Sequence, residues 1–397
     1  MGRYHMIIPD GGCDLLFKEC EARRAVERGI AETFRMRGYS EVITPALEFY
    51  DVFSGKSPVM DDDMMYKLID GHGRILVLRP DNTTPIARVA STKLKGFVPP
   101  LRLYYNQNVF RISPYMSGRY DEVAQCGVEL IGAGGETADV EVVLTAAAAL
   151  QKVLGDDFRL EIGHVGYYKA IIDGLPFDEA EKESIRDLIA SKSYASLSEK
   201  LSLHTARNAA CQALAELPRL FGGSEVLDRA LHVAPNETAA ATIRYLRTLY
   251  DALCAAGLQK NLMIDLGLVQ QIDYYTGAVF RGYIHGSGEP VLSGGRYDTL
   301  FADFGQDMPA CGFAVNADAI ARVTARHLNS DRPDYLIYPQ AGHLREAFAH
   351  MNARIGEGSV CEMSLAASEP ESAEYARKKG IPRMDIVGST VRTVTLD

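Results

Sequence analysis

The chain has 397 residues, 47% of them hydrophobic and 24% charged, which fits a globular protein of two or three domains and excludes a fibrous or disordered one. A formal charge of −10 disfavours a nucleic-acid partner, because a phosphate-binding surface calls for a basic excess. The seven cysteines are scattered, with no CxxC or Cys/His cluster, and no apolar run reaches the roughly 18 residues of a membrane span, so a reduced cytoplasmic protein without a metal site or membrane segment is expected.

Apolar positions Leu16, Cys20, Ala25, Ile30 and Phe34 recur at helical spacing and predict a helix over Leu15–Arg37, stopped at Gly38. A strand over Ser40–Pro45 follows. Short alternating runs then predict strands over Met65–Ile69, Ile75–Arg79, Leu101–Ile112 and Glu122–Ile131, giving a mostly antiparallel sheet with helices between. From about Tyr167 to Gly257 the composition turns to Ala, Leu, Glu and Arg with helical periodicity, which predicts a helical insertion. Strands return over Asn261–Leu266 and Ala278–Ile284, and Phe313–Leu328 reads as an amphipathic helix closing a domain of residues 1–328. After a break at Asn329–Pro333, residues 333–397 alternate strand and helix as a small α/β module: Tyr335–Tyr338, Leu344–Ile355, Val360–Leu365, Ser372–Lys379, Met384–Val387 and Val391–Leu396. The fold class is α+β.

Several segments carry possible chemistry. In the strand Glu122–Ile131, the period of two puts Gln125, Gly127 and Glu129 on one face. If that face is buried, its amide and carboxylate need partners, which a ligand with donor or cationic groups would supply, with Gly127 leaving it room. The same face is equally compatible with solvent. In Arg79-Pro80-Asp81-Asn82-Thr83-Thr84, Asp81, Thr83 or Thr84 caps the following helix, or Asp81 and Thr83 bind an ammonium group; one turn allows both. Arg111 with Gly118-Arg119 reads by itself as a hairpin, Gly294-Gly295-Arg296-Tyr297-Asp298 as a turn before a helix, and Asp273-Tyr274-Tyr275 as a loop.

In their order and spacing over residues 8–328, these segments together with Gln125-Cys126-Gly127-Val128-Glu129 and Gly312-Phe313-Ala314 resemble the class II catalytic core of the histidyl-tRNA synthetase family. The resemblance implies a six-stranded antiparallel sheet with flanking helices, a helical insertion, and a homodimer built on the segment from Gly38 to Phe53. It also implies that Asp81, Thr83 and Gln125 contact an amino acid's α-amino end, that Glu129, Tyr274 and Tyr275 read its imidazole, and that Arg111 is the motif 2 arginine. Against the family pattern, one adenylation arginine falls on Gln270 with Gln271 replacing a glycine, the motif 3 arginine falls on Ala319, and the adenine-side glutamate falls on Ser113. Each missing donor to a developing charge costs about 3 kcal/mol of transition-state stabilisation, so the site is expected to bind without reacting. The C-terminal module, with seven Lys/Arg against nine Asp/Glu, is not expected to hold tRNA. A synthetase-like chain that keeps the pocket and loses the chemistry is similar to the regulatory-subunit family of ATP phosphoribosyltransferase. That likeness implies no cofactor, histidine as feedback effector, and assembly with a short-form catalytic subunit into a hetero-octamer.

Overall fold

In the computed structural model the described residues are 5–55, 60–114, 118–202, 209–269, 274–327 and 332–396. The chain forms two compact units, Met1–His327 and Leu328–Asp397. Among the described residues, no helix is long and apolar enough to cross a membrane.

The first unit opens with α1 (Lys18–Met36), whose buried Ala22, Val26, Ile30 and Phe34 repeat every four residues. Gly38 ends it with φ +83°, a conformation in which a side chain is strained. Next come β1 (Ser40–Glu41), β2 (Leu47–Phe49), β3 (Lys67–Ile69), β4 (Ile75–Leu78), α2 (Thr83–Thr92), β5 (Leu101–Phe110), β6 (Glu122–Ile131), α3 (Glu136–Leu154) and β7 (Phe158–His164). The insertion is α4 (Val165–Ile172), α5 (Glu179–Ala190), α6 (Tyr194–Ser202), α7 (Ala209–Glu216), a short β8 (Phe221–Gly222), α8 (Glu225–His232) and α9 (Glu237–Leu253). The chain returns through β9 (Leu262–Asp265), β10 (Ala278–Ile284), β11 (Leu292–Arg296), β12 (Ala310–Asn316) and α10 (Ala317–Thr324).

Nine strands form the main sheet in the order β1-β5-β6-β12-β11-β10-β7-β9-β8. The six from β5 to β7 in that order are antiparallel, while β1 and β9 join parallel to β5 and β7. Helix α1 covers one face, where Phe34 meets Phe313 edge-on with ring centroids 5.6 Å apart. Side chains one position along each strand point to the other face, and there the register lines up Leu103, Glu129, Gly312, Gly295 and Val279 in one row. The adjacent row on that face is Tyr105, Gly127, Ala314, Ser293 and Arg281.

Two expectations fail here. Residues Phe313–Asn316 belong to strand β12, and the helix begins only at Ala317, where the Asn316 side chain accepts the Ala319 N–H at 3.0 Å. Residues Gly294–Arg296 are strand, not turn. A Cβ at Gly295 would lie 2.8 Å from the Tyr275 ring, so the glycine is there to admit a neighbouring ring.

The second unit is β13 (Tyr335–Pro339), α11 (Leu344–Gly356), β14 (Cys361–Met363), α12 (Glu369–Lys379), β15 (Arg383–Val387) and β16 (Val391–Thr395), with sheet order β14-β13-β15-β16. Its buried Asp385 is held by His350 at 2.7 Å, Arg354 at 3.1 Å and Thr393 at 2.5 Å.

Candidate functional site

Strand β6 is buried on both faces from Cys126 onward, so Glu129 lies inside the first unit with 2% of its surface exposed. Its row neighbour Gly312 is what makes this possible, since a Cβ there would run into the Glu129 carboxylate. Both carboxylate oxygens accept hydroxyl hydrogens. Thr83 donates to Oε1 at 2.7 Å and Tyr297 donates to Oε2. Burial pushes the Glu129 carboxyl up to about 8, against the two hydroxyl donors that favour its charged form and with the nearby Asp81 charge opposing it.

The turn before α2 supplies the second carboxylate. Asp81 accepts the Thr84 N–H at 2.7 Å and the Thr84 hydroxyl at 3.2 Å, which caps the helix and leaves Thr83 free to face Glu129. Burial also raises the Asp81 carboxyl, opposed by the Thr84 hydrogen bonds and the Arg111 charge. At the end of β5, Arg111 donates from Nε to the Pro80 carbonyl at 2.7 Å. Burial lowers its proton affinity, and Asp81 is the nearest charge restoring it.

Gln125 is half-buried and ends a chain of amides. Asn82 donates to it at 3.4 Å, Gln107 donates to Asn82 at 3.1 Å, and Gln107 is fixed in turn by the Thr44 N–H at 2.7 Å. Gly127 does not leave room for a ligand, contrary to expectation. Its missing side chain is replaced by the phenol of Tyr105 from the neighbouring strand, whose oxygen a Cβ at Gly127 would strike.

Aromatic rings close the site. Tyr274 stacks on Tyr297 with centroids 5.3 Å apart and meets Tyr275 edge-on at 5.0 Å. Burial holds the hydroxyls of Tyr105, Tyr274, Tyr275 and Tyr297 well above the usual tyrosine range, so all four remain O–H donors. The structure thus brings Asp81, Thr83, Arg111, Gln125, Glu129, Tyr274 and Tyr275 into one region. It adds Tyr297 and Tyr105, which sequence reasoning did not select. Tyr297 lies in a segment that the family resemblance ties to histidine recognition, but nothing local links that residue to a carboxylate 168 positions earlier.

Arg296, beside Tyr297, faces away from the pocket. It is buried and paired with Asp139 at 2.6 Å and Asp298 at 3.0 Å, and Asp139 also accepts the Tyr245 hydroxyl of α9 at 2.5 Å. Ala319 sits in the first turn of α10 and offers no charge. Ser113 is tied to Asp121 through its N–H at 2.9 Å. Gln270, Gln271 and Asp273 lie outside the described residues. Two buried carboxylates, one arginine and a set of phenols offer the donors and acceptors that a small zwitterion with a donor-bearing ring would pair with. Among the described residues, no group of three His, Cys, Asp or Glu side chains could hold a metal ion.

Residues 11–320 match the family model described as histidyl-tRNA synthetase. The chain is 39% identical over 391 residues to the ATP phosphoribosyltransferase regulatory subunit of Clostridium kluyveri, covering 97% of this chain and 100% of that protein. It is 38% identical to the Bacillus mycoides protein of the same name, covering 96% and 91%. The crystal structure of an ATP phosphoribosyltransferase regulatory subunit/histidyl-tRNA synthetase from Bacillus halodurans superposes with a TM-score of 0.85 at 30% identity, covering 94% of this chain and 97% of that one. A histidyl-tRNA synthetase from Nostoc, 19% identical, shares the fold with a TM-score of 0.81, covering 99% and 97%.

Proposed function

We propose, from the premise that this chain belongs to the histidyl-tRNA synthetase family and within it to the ATP phosphoribosyltransferase regulatory subunits, that its buried pocket binds free histidine as a feedback effector. The chain is a regulatory subunit of that transferase, at work in histidine biosynthesis and not itself the catalyst. Its partner is the transferase's catalytic subunit.

The observation that carries the effector reading is Glu129, a carboxylate buried at the centre of the pocket and held by two neutral hydroxyls. In the complex it accepts a hydrogen bond from the imidazole ring while a tyrosine hydroxyl, for which Tyr275 is positioned, meets the ring's other edge. Asp81, Thr83 and Gln125 receive the α-ammonium group. Arg111, whose Nε donates to the Pro80 carbonyl, takes the α-carboxylate through its terminal nitrogens. A site of this kind rejects ligands that leave its buried polar groups unpaired.

The finer assembly is part of the same reading: a homodimer of this chain, joined to a short-form catalytic subunit in a hetero-octamer. Support for the dimer comes from the small sheet β2-β4-β3, where Phe49, Leu76 and Leu68 stand in one cross-strand row with Phe49 and Leu68 exposed, and exposed Leu47, Ile69 and Ile75 alongside. Regulation further requires that histidine bind two states of the assembly with different affinity. Mixing this chain with the short-form transferase tests the reading. A larger complex whose rate falls on adding histidine is expected, and failure of two folded proteins to associate at micromolar concentration defeats it.

A further inference from the structure

We propose that the pocket takes up its ring-bearing ligand with one proton shared between the Glu129 carboxylate and the ring, so that it selects basic rings of the imidazole class over non-basic rings of the same shape. This rests on the reading that histidine occupies the pocket, and adds the chemical form in which the ring is held.

The polar and charged groups around Glu129 come from every surrounding element: Asp81 and Thr83 from the turn before α2, Tyr105 from β5, Arg111 from its end, Tyr274 and Tyr275 from the segment before β10, Arg281 from β10 in the adjacent row, and Tyr297 after β11. Of the two cations in this set, Arg111 acts on the Asp81 carboxylate, while Arg281 acts on Glu161, Tyr283 and Tyr275. Among the described residues, Glu129 has no ion pair. Of the two buried carboxylates, Asp81 therefore has a guanidinium acting on it and Glu129 does not.

The amino-acid backbone of a ligand does not change this balance. Its ammonium offsets Asp81, its carboxylate offsets Arg111, and Glu129 is left over. A neutral ring would satisfy the hydrogen bonds, with one ring N–H to Glu129 and a tyrosine hydroxyl to the other nitrogen, yet it would leave a full negative charge desolvated among four phenols. An unpaired buried charge is among the most costly arrangements a protein can hold. One additional proton on the carboxylate–ring pair removes it, whether written as carboxylate and imidazolium or as carboxylic acid and imidazole. The site by itself already tends that way, since burial holds the Glu129 carboxyl up to about 8, above the ordinary imidazole value of about 6.5.

The two forms give opposite proton counts. With a shared proton, the free protein supplies it near neutrality, and above pH 8, where Glu129 ionises, the proton must come from solvent. Binding then weakens by about tenfold per pH unit. With a neutral ring against a bare carboxylate, Glu129 must lose its proton on binding near pH 7, and affinity instead rises with pH.

The test is calorimetric titration of the full chain with histidine between pH 6.5 and 9, in two buffers of different ionisation enthalpy, beside 1,2,4-triazolylalanine, whose ring has the same size but little basicity. The analogue carries the same α-ammonium, so its slope over the window corrects for titration of that group. Uptake of most of a proton per histidine at pH 8.5, with the analogue at least tenfold weaker at pH 7.5, is the expected result. Proton release near pH 7, or equal affinity for the two rings, overturns the proposal while leaving histidine as the ligand. No histidine binding at any pH overturns the pocket assignment and this proposal together. In Glu129→Gln, histidine that still binds must have lost the pH slope; a slope that persists assigns the proton elsewhere and refutes the role given to Glu129.

Discussion

Replacing Glu129 with Gln should stabilise the empty protein and weaken its hold on histidine. A carboxyl moved from the usual 4.5 up to about 8 by burial binds its proton more tightly folded than unfolded. Below about pH 4.5 both states are protonated and folding is unaffected; as pH rises toward 8, the unfolded chain ionises while the folded one does not, and stability is lost. At about 1.4 kcal/mol per tenfold in proton affinity, the full loss is on the order of 4–5 kcal/mol, of which about 3 is reached at pH 7. Glutamine has the same shape, no charge to desolvate, and an oxygen still able to accept from Thr83 or Tyr297. The assay is urea unfolding followed by circular dichroism at pH 5.5 and pH 8, since the chain has no tryptophan. The wild type should lose ground to Glu129→Gln between those values by about 2–3 kcal/mol. Histidine affinity of the variant should fall by at least about tenfold, the value of one hydrogen bond to a charged group. A stability difference that stays flat between the two pH values would refute burial as the dominant influence on Glu129.

Gly127→Ala should lower stability by about 1–3 kcal/mol and reduce histidine affinity, because the added methyl strikes the Tyr105 hydroxyl and the Phe313 carbonyl; thermal unfolding and calorimetry measure both. Arg296→Met should cost about 3–5 kcal/mol by stranding buried Asp139, and most of that loss should be recovered in the double variant with Asp139→Leu, read by the same unfolding assay. In the C-terminal unit, burial pushes the Asp385 carboxyl up, but hydrogen bonds from His350, Thr393 and Arg354 outweigh it and hold the group below its usual range. The stability this gives is present above the ordinary carboxylate value and lost as pH falls through the lowered one. Asp385→Asn should therefore destabilise that unit at pH 7 and flatten its acid unfolding curve.

Much of the sheet was legible because the pattern that signals a strand is local. Glu122–Ile131 is strand β6 residue for residue, and Leu101–Ile112 and Ile75–Arg79 overrun β5 and β4 by only one or two positions. Prediction failed where the cause is tertiary. The run Gly312-Phe313-Ala314-Val315 has no polar interruption to reveal its period, so strand and helix read alike until the Asn316 cap. Gly294 and Gly295 resemble a turn in sequence, whereas in the sheet they are small because Phe313, Phe280 and Tyr275 occupy the space. Within the site, alternation along one strand put Glu129 and Gln125 on one face, left ligand and solvent equally open, and the family resemblance alone gave the two a role. Tyr105 and Tyr297 did not, because their relation to Gly127 and Glu129 exists only once strands are paired.

The same geometry gives a physical reason for a member of this family to keep such a buried polar cluster without the synthetase chemistry. The groups proposed to recognise histidine are embedded in strands and in the first turn of α2, where Glu129, Thr83 and Tyr297 hold one another and Gly312 is needed for the carboxylate to fit. Apart from the shape-conserving Glu129→Gln, replacing any one of them disturbs the core that supports the others. The motif 3 position is different. Ala319 lies in the opening turn of α10, its N–H satisfied by Asn316, and the helix folds without any charge there. Loss of a catalytic arginine at such a place removes about 3 kcal/mol of transition-state stabilisation and costs little in folding. Histidine-dependent exchange of pyrophosphate into ATP should accordingly be undetectable with the wild type, and Ala319→Arg alone should not restore it while Gln270 remains in place of the second arginine. Exchange at the rate of an ordinary synthetase would show that these two positions do not carry the chemistry, and would turn the pocket back into an active site.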